Sequence, residues 1–249
     1  MTADPLDLVA IPAGEIVLND ARTGSRWIAE LQPFEIARVE MTEGVFEGGR
    51  EGMPAHGVSW FDAVEWLNRR SAAEGLDPAY HVDGRRVRWN TAADGYRLPT
   101  EAEWEFACRA GTVGPAYGAL EEIAWTRLDD VVGPQPVGGK RPNAFGLHDM
   151  LGNVWEWCWD YADPARYADY RSMRGGGWAD PSWSCRASVR RGSAPDARIE
   201  DVGFRVARGA VSGLDGGAQG WSPSADRERA DIRGPLPVGW TPLRELLEG

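Results

Sequence analysis

Apolar and polar positions along this chain change their spacing several times, and each change predicts a different kind of element. Between residues 8 and 40 the runs LVAIPAGEIVL and WIAELQPFEIARVEMT, separated by turn residues, predict short strands. VSWFDAVEWLNRRSAAEG then shifts to helical spacing through Phe61, Ala63, Val64 and Leu67. Ser59 is placed to cap this helix with Asp62 three residues on, and Gly75 stops it. A second helix follows in LPTEAEWEFACRAGT: Pro99 precedes it, Thr100 and Glu103 form a capping box, and Gly111 ends it. Trp104, Ala107 and Cys108 share one face of that helix. Cys108 is therefore predicted to point inward, with Glu101 and Glu105 facing away.

Beyond Gly111 the chain becomes a mesh of Gly, Pro, Asn and aromatic residues up to Arg208. Strand-like runs appear at WEWCWD, SMRGGGW, CRASVRR and GFRVA, and no solenoid or propeller period is visible. In GNVWEWCWD, alternation puts Trp155, Trp157 and Trp159 on one face and Glu156, Cys158 and Asp160 on the other. A strand in a half-buried sheet reads this way with no function at all. Equally, Gly152 and Asn153 beside Glu156 offer hard oxygen ligands of the kind that suit calcium. The run Gly175–Gly177 lacks a following basic residue or helix, so it predicts close backbone approach and not a phosphate cradle.

Composition narrows the function classes. The 249 residues carry 13 Trp, 31 Gly and 17 Pro, which favours a loop-rich architecture with packed aromatics. Net charge is -11 and Lys140 is the only lysine, so no concentrated positive charge exists for a nucleic-acid partner. The N-terminal stretch is acidic and no apolar run approaches membrane-spanning length, which predicts a cytoplasmic protein without a membrane partner. Cys108, Cys158 and Cys185 are too few for a disulfide scaffold. There is no nucleophile elbow, no phosphate-binding loop and no C-x-x-C pair, and His56, His81 and His148 lack ligand-like spacing. A shift in composition at Gly209 divides the chain into a domain at 1–208 and a tail at 209–249. That tail ends in PLPVGWTPLRELLEG and reads either as a docking peptide for a partner protein or as a segment folded back over its own domain.

Five ordered motifs carry a family resemblance: YRLPTEAEWEFACRAGT, PNAFGLHDMLGNVWEWCWD, MRGGGW, CRASVRR and GFRVA. Together they resemble the formylglycine-generating enzyme, or sulfatase-modifying factor, family over about residues 8 to 208. The resemblance implies an α/β (α+β) fold with low regular secondary structure, the C-type-lectin-like fold of that family. It further implies structural calcium held by Gly152, Asn153, Val154 and Glu156, with Asp129 and Asp130 in place of a second calcium loop. A cysteine at the position of Cys108 pairs, in secreted relatives, with a residue close to Cys185. A cytoplasmic setting would leave both reduced.

Formylglycine-generating members hold copper between two cysteine thiolates. Here Gly177 replaces a serine, Asp180 stands at the first thiolate position, and Cys185 falls at the second by counting. Aligning instead on Arg186 and Arg190 takes Cys185 out of that role. Copper(I) prefers two soft thiolates, so Asp180 and Cys185 are poor catalytic candidates. The expected function is a calcium-stabilised binding or accessory module for a peptide, protein or small molecule. Trp178, Trp183, Trp125 and Arg186 would line its groove. The alternative is an oxidoreductase of the family, using copper or iron on a peptide thiol or small substrate.

Overall fold

The alternation in the first forty residues resolves into four strands: β1 (Leu8–Ile11), β2 (Gly14–Asp20), β3 (Ser25–Leu31) and β4 (Phe34–Ala37). The structure, a computed structural model, describes residues 6–20, 25–162, 167 and 169–211. Strands β2 and β3 form a hairpin of their own, from Gly14↔Leu31 to Asp20↔Ser25. Strand β1 pairs antiparallel with β4. A short helix α1 (Glu43–Glu47) leads to α2 (Trp60–Ala73), and a second hairpin joins β5 (Tyr80–Asp83) to β6 (Arg86–Trp89). After α3 (Glu101–Arg109) and α4 (Leu120–Ile123) comes a long stretch built of turns. The chain closes with β7 (Trp155–Tyr161), β8 (Arg171–Arg174), β9 (Arg190–Ser193), β10 (Val202–Phe204) and β11 (Ala207–Arg208).

Both long helices start where the sequence places them. Ser59 and Asp62 make reciprocal bonds at the head of α2, as do Thr100 and Glu103 at the head of α3. At the other end of α3 the left-handed cap falls on Ala110, with Gly111 also at positive φ one residue later.

The face assignment of α3 needs correcting. Glu101 and Glu105 are buried, not outward, because arginines from distant strands reach in to meet them. Arg174 of β8 contacts both carboxylates, and Arg190 of β9 bonds Glu101. A buried carboxylate needs such pairing, since its desolvation is otherwise prohibitive.

Strand β7 is also more deeply set than a half-buried strand. It lies inside the sheet ordered β10-β7-β8-β9, parallel to β10 and antiparallel to β8. Every residue from Trp155 to Asp160 is buried. On one face the three indoles join Trp60, Leu67, Tyr80, Trp89 and Phe204 in the larger core, where Tyr80 stacks on Trp159 at 5.1 Å. On the other face Cys158 joins Trp104, Cys108, Met150 and Leu151 in a second core shared with the β2–β3 hairpin. The polar members of that face are absorbed locally: Asp160 accepts from the Glu101 amide at 2.7 Å, at the start of α3 where a carboxylate is favoured. Strands β1, β4 and β11 form a separate three-stranded sheet. No helix among the described residues is long and apolar enough to cross a membrane. Of the tail expected at 209–249, residues 212–249 lie outside the described residues.

Candidate functional site

The loop after β8 is shaped by its three glycines. Gly175 and Gly176 have φ of +101° and +88°, and a Cβ on Gly176 would lie 2.6 Å from the Cys185 sulfur. A Cβ on Gly177 would lie 2.7 Å from a carboxylate oxygen of Asp201. The run is thus a close-approach device, and it folds the chain so that Asp180 and Cys185 sit beside the start of β7.

Asp180 is fixed there. Its Oδ2 accepts from the Trp155 indole N–H at 2.7 Å and from the Gly177 amide at 2.9 Å. Arg191 lies 3.4 Å from Oδ1, donates to the Ser184 hydroxyl at 2.9 Å, and covers the Trp155 ring at 4.9 Å. The Asp180 carbonyl accepts from the Arg127 amide at 3.1 Å, which joins this loop to the one following α4. Asp201 lies close by, and burial followed by the charge of Asp180 raises its carboxyl above the ordinary value.

The thiols are quiet. All three cysteines are unbonded and buried, so Cys108 and Cys185 are not paired with each other. Burial, then the charge of Asp180, pushes the Cys185 thiol up to about 12. Burial also raises Cys108 and Cys158. Each folded thiol keeps its proton at a pH where the unfolded chain has already lost it. Their stabilising contribution is therefore complete below about pH 9 and declines as pH rises toward the folded value near 12. Urea midpoints measured at pH 8 and pH 11 should fall with rising pH. Iodoacetamide at pH 8 should label no cysteine before the chain unfolds; labelling of the native protein would contradict this burial.

Two of the four expected groove residues flank one asparagine. Asn153 donates its amide to the Trp125 carbonyl at 2.9 Å, and its carbonyl accepts from the Trp178 amide at 2.7 Å. Both indole nitrogens, Trp125 Nε1 and Trp178 Nε1, are buried without a hydrogen-bond partner among the described residues. Lys140 sits 4.2 Å over the Trp125 ring. Trp183 is 56% exposed and Arg186 is exposed on the same loop, while Leu128, next to Arg127 whose amide meets Asp180, is 71% exposed.

Beneath Asn153 lies a charge cluster that strand periodicity does not reveal. The Glu156 carboxylate is bonded by Arg205 through Nη2 at 2.7 Å and Nε at 3.0 Å, and by the Trp104 indole at 2.8 Å. Glu40 accepts from the Val154 amide at 3.0 Å and from the Asn153 side-chain amide at 2.7 Å. Burial, followed by the charges of Asp149 and Glu156, lifts the Glu40 carboxyl well above the usual range. Burial raises Asp149 in the same way, and its Oδ1 is buried without a partner. The only clue to this cluster in the sequence is charge within otherwise apolar stretches, as in ARVEMT and HDMLGN.

These contacts bear on the calcium reading. Calcium takes about six to eight oxygens, carboxylates prominent among them. Here both Glu156 oxygens face a guanidinium, and the Asn153 Oδ1 already accepts from the Gln135 amide at 2.8 Å. The arrangement of Gly152, Asn153, Val154 and Glu156 does not fit the ion: Arg205 holds the cationic place. Nor does the second pair. Asp129 is bonded to Lys140 at 2.6 Å and caps its own turn at Thr126, and Asp130 is exposed. Copper meets one thiol and a fully bonded carboxylate at Cys185 and Asp180, which is not the soft pair it prefers. No group of three or more His, Cys, Asp or Glu among the described residues is arranged to hold a metal.

Comparison with known proteins places this architecture. The chain is 28% identical to the chaperone protein LppX of Paenibacillus barcinonensis, over 81% of this chain and 89% of the relative. It is 31% identical to the formylglycine-generating enzyme of Streptomyces coelicolor, over 82% and 67% of the respective chains. The solved structure of Treponema denticola variable protein 1 superposes with a TM-score of 0.75 at 26% identity, covering 81% of this chain and 94% of that one. This is the C-type-lectin-like fold that the motif order implies. Residues 44–210 match the sulfatase-modifying factor enzyme 1-like domain, and the chain belongs to that family.

Proposed function

We propose that this protein is a binding or accessory module of the sulfatase-modifying factor family that does not generate formylglycine. Its ligand would be a peptide or protein segment taken on the rim that carries Trp183 and Leu128. One observation carries the first part: Asp180, at the position where the resemblance expects a thiolate, is hydrogen-bonded to Trp155 and Gly177 as a structural clasp. The remaining sulfur, Cys185, is buried and protonated at neutral pH. A single protonated thiol beside a fully bonded carboxylate provides no seat for copper(I).

The rim supports the second part. Trp183 and Leu128 project from two loops tied together by the Arg127–Asp180 backbone bond. Arg186 is exposed, and its side chain has no partner among the described residues. Tryptophan and arginine are the side chains most often found anchoring protein interfaces. The family includes a relative named as a chaperone as well as one named as the enzyme, so membership is compatible with this role. Three reduced, buried thiols suit a cytoplasmic setting.

Elemental analysis of the purified chain, with copper(I) titration and oxygen uptake against thiol peptides, tests the reading. No stoichiometric copper or iron and no oxygen uptake are expected. Metal at one per chain with turnover would establish the oxidoreductase instead.

A further inference from the structure

The outer face of the β2–β3 hairpin is graded in charge from one end to the other. Its inner positions, Ile16, Leu18, Ala29 and Leu31, are buried in the second core. Three register rows make up the outer face: Glu15 with Glu30, Val17 with Ile28, and Asn19 with Arg26. Glu15, Asn19, Arg26 and Glu30 are exposed, and Ile28 is 61% exposed. Among the described residues, nothing bonds the side chains of Glu15, Arg26 or Glu30. Two carboxylates directly opposite each other destabilise a sheet, and an exposed apolar pair beside them adds to the cost. An occupant that answers this face brings a cation to the Glu15–Glu30 row, an apolar surface to the middle row and a carboxylate to Arg26.

A second copy of the same face meets all three demands. Facing sheets pack about 10 Å apart, a gap that Glu and Arg side chains bridge from either side. A two-fold axis lying in the interface, across the strands and level with Val17 and Ile28, lays each strand over its own counterpart in reverse. Ile28 then meets Ile28, Glu30 meets Arg26, and Glu15 meets the Asn19 amide of the second copy. An axis along the strands would instead bring four glutamates together, so charge selects the first arrangement. At ~3.3 Å per residue and ~4.8 Å between strands, the face measures only ~23 Å by ~10 Å. That is well below the ~800 Å² per partner of a standard stable interface, so the association is reversible and weak.

We propose that the chain self-associates as a two-fold dimer through the outer faces of its β2–β3 hairpins, with Ile28 at the axis and Glu30 paired across it with Arg26 of the second copy.

Sedimentation of the full chain as a function of concentration tests this. The mean mass should rise from monomer toward dimer by about 1 mM, the Kd of a marginal contact. Ile28→Asp should weaken association about tenfold or more. Arg26→Glu and Glu30→Arg should each stay monomeric, because like charges then meet across the axis. An equimolar mixture of those two variants should form the mixed dimer, in which every crossing pair is opposite in sign. Thermal melts at low concentration check that each variant is folded. A wild type monomeric up to about 1 mM, a dimer unmoved by Ile28→Asp, or a mixture that stays monomeric would overturn the proposal. The first of these would leave the face to a different protein or to another part of the same chain. None of these outcomes depends on the copper and oxygen measurements.

Discussion

Replacing Arg205 with methionine is expected to cost about 3–5 kcal/mol of folding stability, the range for removing one member of a buried ion pair. Among the described residues Arg205 is the guanidinium hydrogen-bonded within the Glu40, Asp149 and Glu156 cluster, and neither it nor Glu156 has measurable solvent exposure. It also donates to the carbonyls of Ala37 and His148, so methionine would leave those acceptors bare as well. Glu156→Gln should cost less, because Glu40 and Asp149 remain beside the arginine to balance its charge. Lowering the pH should narrow the deficit of Arg205→Met, since protonation relieves carboxylates that have lost their counter-ion. Urea denaturation at pH 7 and pH 5 measures both comparisons. A methionine variant within about 1 kcal/mol of the wild type would mean that the pair is replaceable by packing alone, as some buried pairs are.

The second large effect is expected at two glycines that pass against backbone. A Cβ on Gly152 would lie 2.2 Å from the Trp125 carbonyl oxygen, and one on Gly203 would lie 2.2 Å from the Ala55 carbonyl oxygen. Neither obstacle is a side chain that can swing away. Gly152 carries the further strain of φ +76°. Gly203→Ala should therefore lose about 1–3 kcal/mol or more through overpacking, and Gly152→Ala about 1–2 kcal/mol beyond that for the left-handed backbone. Gly57→Ala is the control: its φ is +66° but nothing lies within 4 Å of the added methyl. It should lose only the backbone strain. Thermal melts giving equal losses for Gly57 and Gly152 would show that the Trp125 carbonyl yields.

Local chemistry made the frame legible. Ser59 with Asp62 and Thr100 with Glu103 are short-range signals, and both helices begin on them. The alternation in WEWCWD identified a strand, and the ordered motifs identified the family. The burial of polar residues was not legible, because the partners lie far apart in sequence. Glu105 meets Arg174 across 69 positions, and Glu156 meets Arg205 across 49. Seen alone on a helix wheel, Glu101 and Glu105 look solvent-facing, since Arg174 and Arg190 arrive only when β8 and β9 are in place. Glu156 is a similar case: strand spacing shows that a carboxylate is present, but not that Arg205 bonds it. Asp180 was visible as a substitution in a motif, but its role as a clasp required the position of Trp155.

The parallel pairing of β10 with β7 has a consequence for how the chain acquires its fold. On the edge away from β8, residues 155–157 receive their partner from residues 202–204, and β11, which follows at once, completes the sheet begun by β1 and β4. During synthesis the most aromatic strand of the molecule therefore waits with one edge open until the ribosome has passed the GFR motif. Long-range closure of this kind slows folding and exposes the nascent chain to edge-to-edge association. A chaperone that recognises unpaired strands would find its target in that interval, and a frameshift just upstream of Val202 would leave a product prone to aggregate, not a smaller stable domain.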